Sequence, residues 1–309
     1  MNLAPAWIGD ASIILLSLLV QGIPFLLLGA LLGGFVAAWT PFTRLLRVWP
    51  RNPVLSALAG SFFAILIPAC DCAVVPVVRR LVRKGIPLSA GIAYLMAAPV
   101  FNPVCIISTY LAFRFGSPWH MLLLREGGSL VLAVTMGVIA SRMPSAVILR
   151  SKVLLTSATE SEPAPWMEMA PNGGDLQRKW APAFAASLVD FLNVSSLYVV
   201  GALCSALLQT FLPLGKMVAL HSGFGIPAAM LLAFLLSQCS SADAFVVNGF
   251  GALGLTGQLA FLWLGPIYNL RVLFLYRNIF QYRAILLLGV ATFLITGCMT
   301  VLLIKLGFS

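Results

Sequence analysis

Apolar positions in this chain do not alternate with polar ones. They run on, nearly unbroken, through stretches such as Ala11–Ala38, Ala229–Val247 and Ala284–Ile304. About 20 consecutive apolar residues are needed for a helix to cross the hydrocarbon core of a bilayer. The pattern therefore predicts an all-α polytopic membrane protein. One polar segment is long enough to be a linker, Ser141–Ala181, and it is rich in Ser, Thr, Pro and Gly. It divides the chain into a first membrane repeat over 1–141, a linker loop over 142–182 and a second membrane repeat over 183–309.

Composition agrees. Of 309 residues, 61% are hydrophobic and 9% charged, with a mean hydropathy of +1.01; soluble domains carry about 25% charged residues. Met1–Ala11 has no Lys or Arg, and the apolar run after it is too long for a signal-peptide core, so the first helix is expected to stay. Six cysteines all lie in apolar stretches, which is not the layout of a secreted disulfide framework. Cys105, Cys204 and Cys298 read as small packing residues.

The net charge is +10, but the basic residues gather at the ends of apolar runs. That is the positive-inside distribution of a membrane protein, with the lipid bilayer as partner and no nucleic acid. The clusters are Arg44/Arg47/Arg51, Arg79/Arg80/Arg83/Lys84, Arg142/Arg150/Lys152/Arg178/Lys179 and Arg271/Arg277/Arg283. If 54–82 crossed the membrane once, the first two clusters would face opposite sides. A re-entrant hairpin turning at Pro68–Cys72 puts all four on one side. Its arms are about 11–15 residues, roughly 16–22 Å, enough to reach mid-depth but not to span. The expected path is then span 12–38, hairpin 54–82, span 88–113, span 118–141, cytoplasmic loop 142–182, span 183–212, hairpin 226–250, span 256–276 and span 284–306. Three crossings per half invert the halves relative to each other. Eight plain spans are the alternative.

A shift of 167 residues lays Cys72–Asn102 over Cys239–Asn269 without a gap: Cys72 meets Cys239, Pro76 meets Asp243, Pro99 meets Pro266 and Asn102 meets Asn269. Duplicated halves with helices interrupted at matching places are the pattern of secondary transporters. Pro68 and Pro76 bracket Cys70-Asp71-Cys72, and Pro99 and Pro103 bracket Val-Phe-Asn. Proline removes a backbone donor and clashes with the preceding turn. Non-helical backbone at membrane depth is tolerated only inside protein or beside a cavity.

Acids at membrane depth are expensive and mark candidate function. Asp71, Glu126, Asp190 and Asp243 qualify. Asp71 and Asp243 are either site carboxylates or helix caps; Asp190, near the start of a span, reads as a cap or interface group; Arg125 is a candidate partner of Glu126 through a third group. Asp243, Asp71 and Glu126 are the candidate coupling residues. Cys70, Cys72 and Cys239 form a soft-ligand set of the kind thiolates offer to soft ions, and they are the candidate ligands of a transported metal. Asn102 and Asn269 each follow a proline by three and suit either substrate coordination or a broken helix. Ser240 and Ser241 add hydroxyls beside Asp243. The Arg79–Lys84 cluster reads as an interfacial anchor. His120 and His221 have no companion and receive no role. No P-loop, G-x-S-x-G or H-E-x-x-H pattern occurs, so neither an ATPase nor a hydrolase is supported, and no cofactor is implied.

The stretches "PACDCAVVPV", "RKGIPLSAG" and "AAPVFNPV", with "CSSADAFV" and "LGPIYNLR" in the second half, resemble a predicted-permease family. It includes bacterial organoarsenical exporters and relatives proposed to export metals. The resemblance runs from Ser12 to Leu306. It implies a multi-pass protein of the bacterial plasma membrane, with Cys70 and Cys72 serving thiophilic substrates. The function expected is a secondary transporter, not an enzyme, that exports a soft metal ion or metalloid, and it allows an accessory membrane subunit. Two alternatives stand beside it: a permease for another small solute such as a sulfur compound, and an intramembrane thiol redox protein.

Overall fold

The computed structural model describes residues 6–39, 49–71, 73–83, 85–144, 148, 175–211, 225–250, 253–277 and 279–307. Cys72, His221, Arg44, Arg47, Lys84, Arg150 and Lys152 lie outside the described residues. So do the side chains of Pro76, Arg80, Arg83, Arg178, Lys179 and Asp190.

Twelve helices are described. The first half holds α1 (Ala6–Trp39), α2 (Pro53–Leu66), α3 (Val74–Arg83), α4 (Leu88–Ala97), α5 (Pro103–Ala112) and α6 (Pro118–Ser141). The second holds α7 (Asp175–Phe211), α8 (Gly225–Leu236), α9 (Asp243–Gly249), α10 (Gly254–Leu264), α11 (Leu270–Tyr276) and α12 (Tyr282–Lys305). Each half runs long, four short, long. Pro118–Ser141, Val194–Phe211 and Tyr282–Lys305 are long and apolar enough to cross a membrane. Helix α7 begins at Asp175, inside the segment read as loop. Asp-Leu-Gln-Arg-Lys-Trp-Ala is polar but holds no glycine or proline, and long straight-chain residues favour helix whatever their polarity.

Between α2 and α3 the chain doubles back. Trp49 Nε1 donates to Ser56 Oγ at 2.9 Å, and Ser89 Oγ donates to Ser56 Oγ at 3.1 Å, so α2 starts beside the start of α4. At the other end of α2, Tyr94 Oη donates to the Ile67 carbonyl at 2.9 Å. Helices α2 and α4 therefore run the same way. Helix α3 returns against α4, with Val78 and Val82 packed at Gly91. It stops at Gly85, whose φ of 93° is open to glycine at little cost, and Ile86 N bonds the Leu81 carbonyl across the turn at 3.2 Å.

The second half does the same. Gly225 at the start of α8 lies beside Gly257 near the start of α10, and the Phe234 ring at its other end stacks on Tyr268 at 5.9 Å. Asp243 at the start of α9 lies against Gly265 at the end of α10, so α9 runs opposite to both. Eight plain spans do not fit this path.

The spans expected over 88–113 and 256–276 are each interrupted, at 98–102 and 265–269. The first interruption does not reverse the chain. Gly137 of α6 meets Ser89 and Ala93 of α4, while Arg125 of α6 bonds Thr109 of α5. Twelve residues of helix, about 18 Å, separate those two points. Helices α4 and α5 thus follow one another along α6. The α2–α4–α6 contact is close because Gly137 has no Cβ: one there would stand 2.9 Å from the Ala57 Cβ and 3.1 Å from that of Ala93. Small residues at such crossings let backbones approach, which is what holds helices together where lipid removes the hydrophobic drive. The two halves join through α1 packed on α7, and through α5 lying beside α9.

Candidate functional site at the hairpin tips

The two reversals, Ile67–Ala73 and Ser237–Ala242, meet at the Arg271 side chain. Arg271 Nη2 of α11 lies 3.6 Å from Asp71 Oδ2 in the first tip, and the same nitrogen donates to the Gln238 carbonyl in the second at 3.2 Å. Its other terminal nitrogen donates to Tyr198 Oη at 3.3 Å, with the guanidinium 5.4 Å above the Tyr198 ring. Tyr198 Oη donates in turn to the Leu18 carbonyl at 2.7 Å, which ties α7 to α1.

A second arginine, from a different helix, reaches the same tip. Arg125 of α6 donates through Nη2 to the Ser240 carbonyl at 3.0 Å and through Nη1 to Thr109 Oγ1 at 2.7 Å. The Cys105 thiol donates to the same Ser240 carbonyl at 3.3 Å. Upstream, Gln209 Nε2 donates to the Leu236 carbonyl at 2.8 Å. The end of a helix leaves carbonyls without partners. Here side chains from α5, α6, α7 and α11 supply the donors, two of them charged. Ser237 sits in the left-handed region at φ 47°, a local strain these bonds must hold in place.

The expected site residues divide on inspection. Cys70, Asp71, Ser240 and Asp243 are buried and Cys239 and Ser241 half-buried, all of them in the tips or the first turn of α9. Ser241 Oγ lies 3.6 Å from Cys239 Sγ. Asn102 and Asn269 are caps of broken helices. Asn102 Oδ1 accepts from Val104 N at 3.0 Å, and Asn269 Oδ1 accepts from Val272 N at 2.9 Å while its Nδ2 donates to the Gly265 carbonyl at 2.8 Å. Among the described residues neither Asp71 nor Asp243 accepts a hydrogen bond of ordinary length from a helix end, and Asp71 is ion-paired with Arg271. Both Glu126 oxygens also lack a hydrogen-bond partner among the described residues, so no third group bridges Glu126 to Arg125 there. Successive helical residues point about 100° apart, and Arg125 turns inward to Thr109 and Ser240.

Two further readings are refined. Cys105, read as inert packing, lies fully buried against the second tip. Arg271, read as part of an interfacial cluster, is 1% exposed, and Arg125 is 0% exposed. The signal that would have found both is the one applied to the acids: a charge inside an apolar run is expensive whatever its sign. Cys204 is half-buried on α7, and Cys298 is exposed on α12. Among the described residues no group of three or more His, Cys, Asp or Glu side chains is arranged to hold a metal ion. The expected trio of Cys70, Cys72 and Cys239 includes a residue outside them.

A model of the predicted-permease family matches residues 8–306. The UPF0718 protein YcgR of Bacillus subtilis is 31% identical over 278 residues, covering 89% of this chain and 90% of that protein. A protein of Streptococcus mutans described as a putative two-component membrane permease complex subunit is 28% identical over 288 residues, 92% of each. The UPF0718 protein YraQ of Escherichia coli is 24% identical over 115 residues, 37% of this chain and 32% of that protein. No solved structure matches the chain.

Proposed function

The chain belongs to the predicted-permease family, and from that premise we propose that it is a secondary transporter whose substrate passes between the two hairpin tips. Membership makes it a multi-pass membrane protein, and a permease family supports a transporter over an enzyme. The observation that carries the reading is the meeting of Asp71 with Arg271 where two interrupted helices converge, 1% exposed on both sides. Broken backbone at membrane depth is where transporters of this build place their substrates.

On this reading the tips are re-entrant and the halves are an inverted pair. Two contacts support inversion: Cys105 lies at Ser240, and Asn248 Nδ2 donates to the Ala112 carbonyl at 2.9 Å. Helix α5 then runs with α9, and so against α10. The substrate is a soft metal ion or metalloid, exported past Cys70, Cys72 and Cys239, with Ser240 and Ser241 beside them. Cys105 joins that set because its thiol faces the same tip. Asp71, Asp243 and Glu126 are the coupling acids. An accessory membrane subunit is part of the proposal, prompted by the Streptococcus mutans relative's description as a complex subunit.

Cells with and without the protein, challenged with soft metal salts and arsenicals, test the substrate. Equal tolerance to every challenge removes the export reading. Cysteines introduced at Arg47 and Arg83 test the topology: labelling from the same face is expected, and labelling from opposite faces removes the re-entrant hairpin.

A further inference from the structure

Two adjacent glycines lie inside α6, and packing accounts for only one of them. Gly128 has to be glycine: a Cβ there would overlap the Trp263 indole of α10. Gly127 does not: nothing lies within 4 Å of the place its Cβ would take. Glycine inside a helix costs stability relative to alanine, and at Gly127 no neighbour asks for it. Sharp bends in helices occur at pairs of glycine or serine, and where a side chain enters the hydrogen-bond ladder. Both conditions are met in the run Gly127-Gly128-Ser129.

The ladder has spare donors at this point. Trp263 Nε1 donates to the Leu124 and Arg125 carbonyls, at 3.2 Å each. In a regular helix those carbonyls take the N–H groups four residues on, here of Gly128 and Ser129. Ser129 is 0% exposed, and its hydroxyl has no hydrogen-bond partner among the described residues. A helical serine can bond the carbonyl four residues back, here that of Arg125, and doing so bends the helix. The backbone bonds across the glycines can therefore lengthen without leaving a buried carbonyl bare.

The two sides of the glycine pair are attached to different things. Upstream, Arg125 holds the Ser240 carbonyl of the second tip and Thr109 of α5. Helix α5 is itself tied to the second half, by Cys105 at the Ser240 carbonyl and by Asn248 at the Ala112 carbonyl. Downstream, Gly137 is set against Ser89 and Ala93 of α4 and Ala57 of α2. The interruption at 98–102, which separates α4 from α5, falls along this same stretch of α6. We propose that Gly127–Gly128 and 98–102 together form one hinge. On it, α5 and the start of α6 (103–126) swing with the second tip against α2, α4 and the rest of α6. Trp263 and Ser129 supply the replacement bonds when it opens. Hinges of this kind are a few residues that absorb the backbone change. The inference rests on the permease reading for its use, since rocking one group of helices against another is how such transporters alternate access.

The test measures distances in the full-length protein in lipid nanodiscs, by pulsed electron paramagnetic resonance on frozen samples. Spin labels are carried by ketone-bearing residues introduced at exposed sites, so the native cysteines stay. Phe62 of α2 and Leu123 of α6 form the pair across the hinge. Phe62 and Ile139 lie on one side of it, and Leu123 and Phe245 of α9 on the other. The pair across the hinge is expected to show a second, shifted distance, and each of the other pairs a single one. Gly127→Ala should reduce the second population about fivefold, equivalent to the ~1 kcal/mol by which alanine is favoured over glycine in a helix. Its thermal stability should be unchanged or raised. A single narrow distance across the hinge in the wild type overturns the inference, and that outcome needs no variant to fold. So does a second distance within either group, or a second population that Gly127→Ala leaves at full weight. The permease reading fails separately, through the cell challenge above.

Discussion

The two hairpins reach the same shape by different means. The first tip is made by covalent geometry: Pro68 stands in it, Pro76 follows within α3, and a Tyr94 hydroxyl bonds the Ile67 carbonyl. The second tip contains no proline. Its chain leaves α8 through a left-handed Ser237, and donors from four other helices hold its carbonyls. A helix can be broken because its own residues cannot continue it, or because the rest of the protein offers its carbonyls something better. The first kind of break is local. The second stands or falls with distant residues, and Arg271 touches both tips.

That contrast is broken most severely at Arg271. Arg271→Ala removes the countercharge nearest Asp71 and a donor to Gln238 together. Removing one partner of a buried ion pair typically costs about 3–5 kcal/mol, which should be visible as a large fall in thermal unfolding temperature in detergent. Pro68→Ala should cost less, because the first tip keeps its other proline and its Tyr94 bond. A Pro68→Ala loss equal to that of Arg271→Ala would end the distinction between local and tertiary breaks.

The thiols come next. Cys239→Ser and Cys105→Ser, both at the second tip, and Cys72→Ser are expected to impair export, while Cys204→Ser and Cys298→Ser are not. Equal tolerance of all five in a vesicle flux assay would take the cysteines out of the site.

The caps sharpen the comparison on a smaller scale. Asn269 is fully buried and makes two bonds, whereas Asn102 is half-buried and makes one. Removing a cap costs about 0.5–2 kcal/mol. Asn269→Ala should lie at or above the top of that range and Asn102→Ala near the bottom, read from thermal unfolding. The reverse order would mean that Asn102 does something besides capping.

The smallest effect expected is at Glu126. Among the described residues its oxygens have no hydrogen-bond partner, and it lies beside Arg125 on α6. Glu126→Gln removes a buried charge without adding a clash, so thermal stability should be unchanged or slightly raised. A change in gradient-driven flux without a change in stability would mark it as a coupling residue. A large loss of stability would mean that it is structural.

The sequence by itself determined the class of protein and the places where helices break at proline, and it marked Asp71 and Asp243 as buried acids to look at. These follow from properties a residue carries with it: an apolar side chain prefers lipid, a proline lacks a donor, a carboxylate at depth is expensive. The second hairpin was expected from the charge pattern and the repeat, but what breaks the chain there, and where Arg125, Arg271 and Cys105 sit, were decided only by the tertiary structure. Gln-Cys-Ser-Ser-Ala carries no break of its own strength, and nothing local says which carbonyls a guanidinium 33 or 115 residues away will find. Arg271 follows Asn269 by two residues, close to a helix start, and in one dimension it is indistinguishable from an interfacial anchor. Packing against Tyr198 and the second tip makes it a buried charge, because burial belongs to the arrangement of neighbours rather than to the residue.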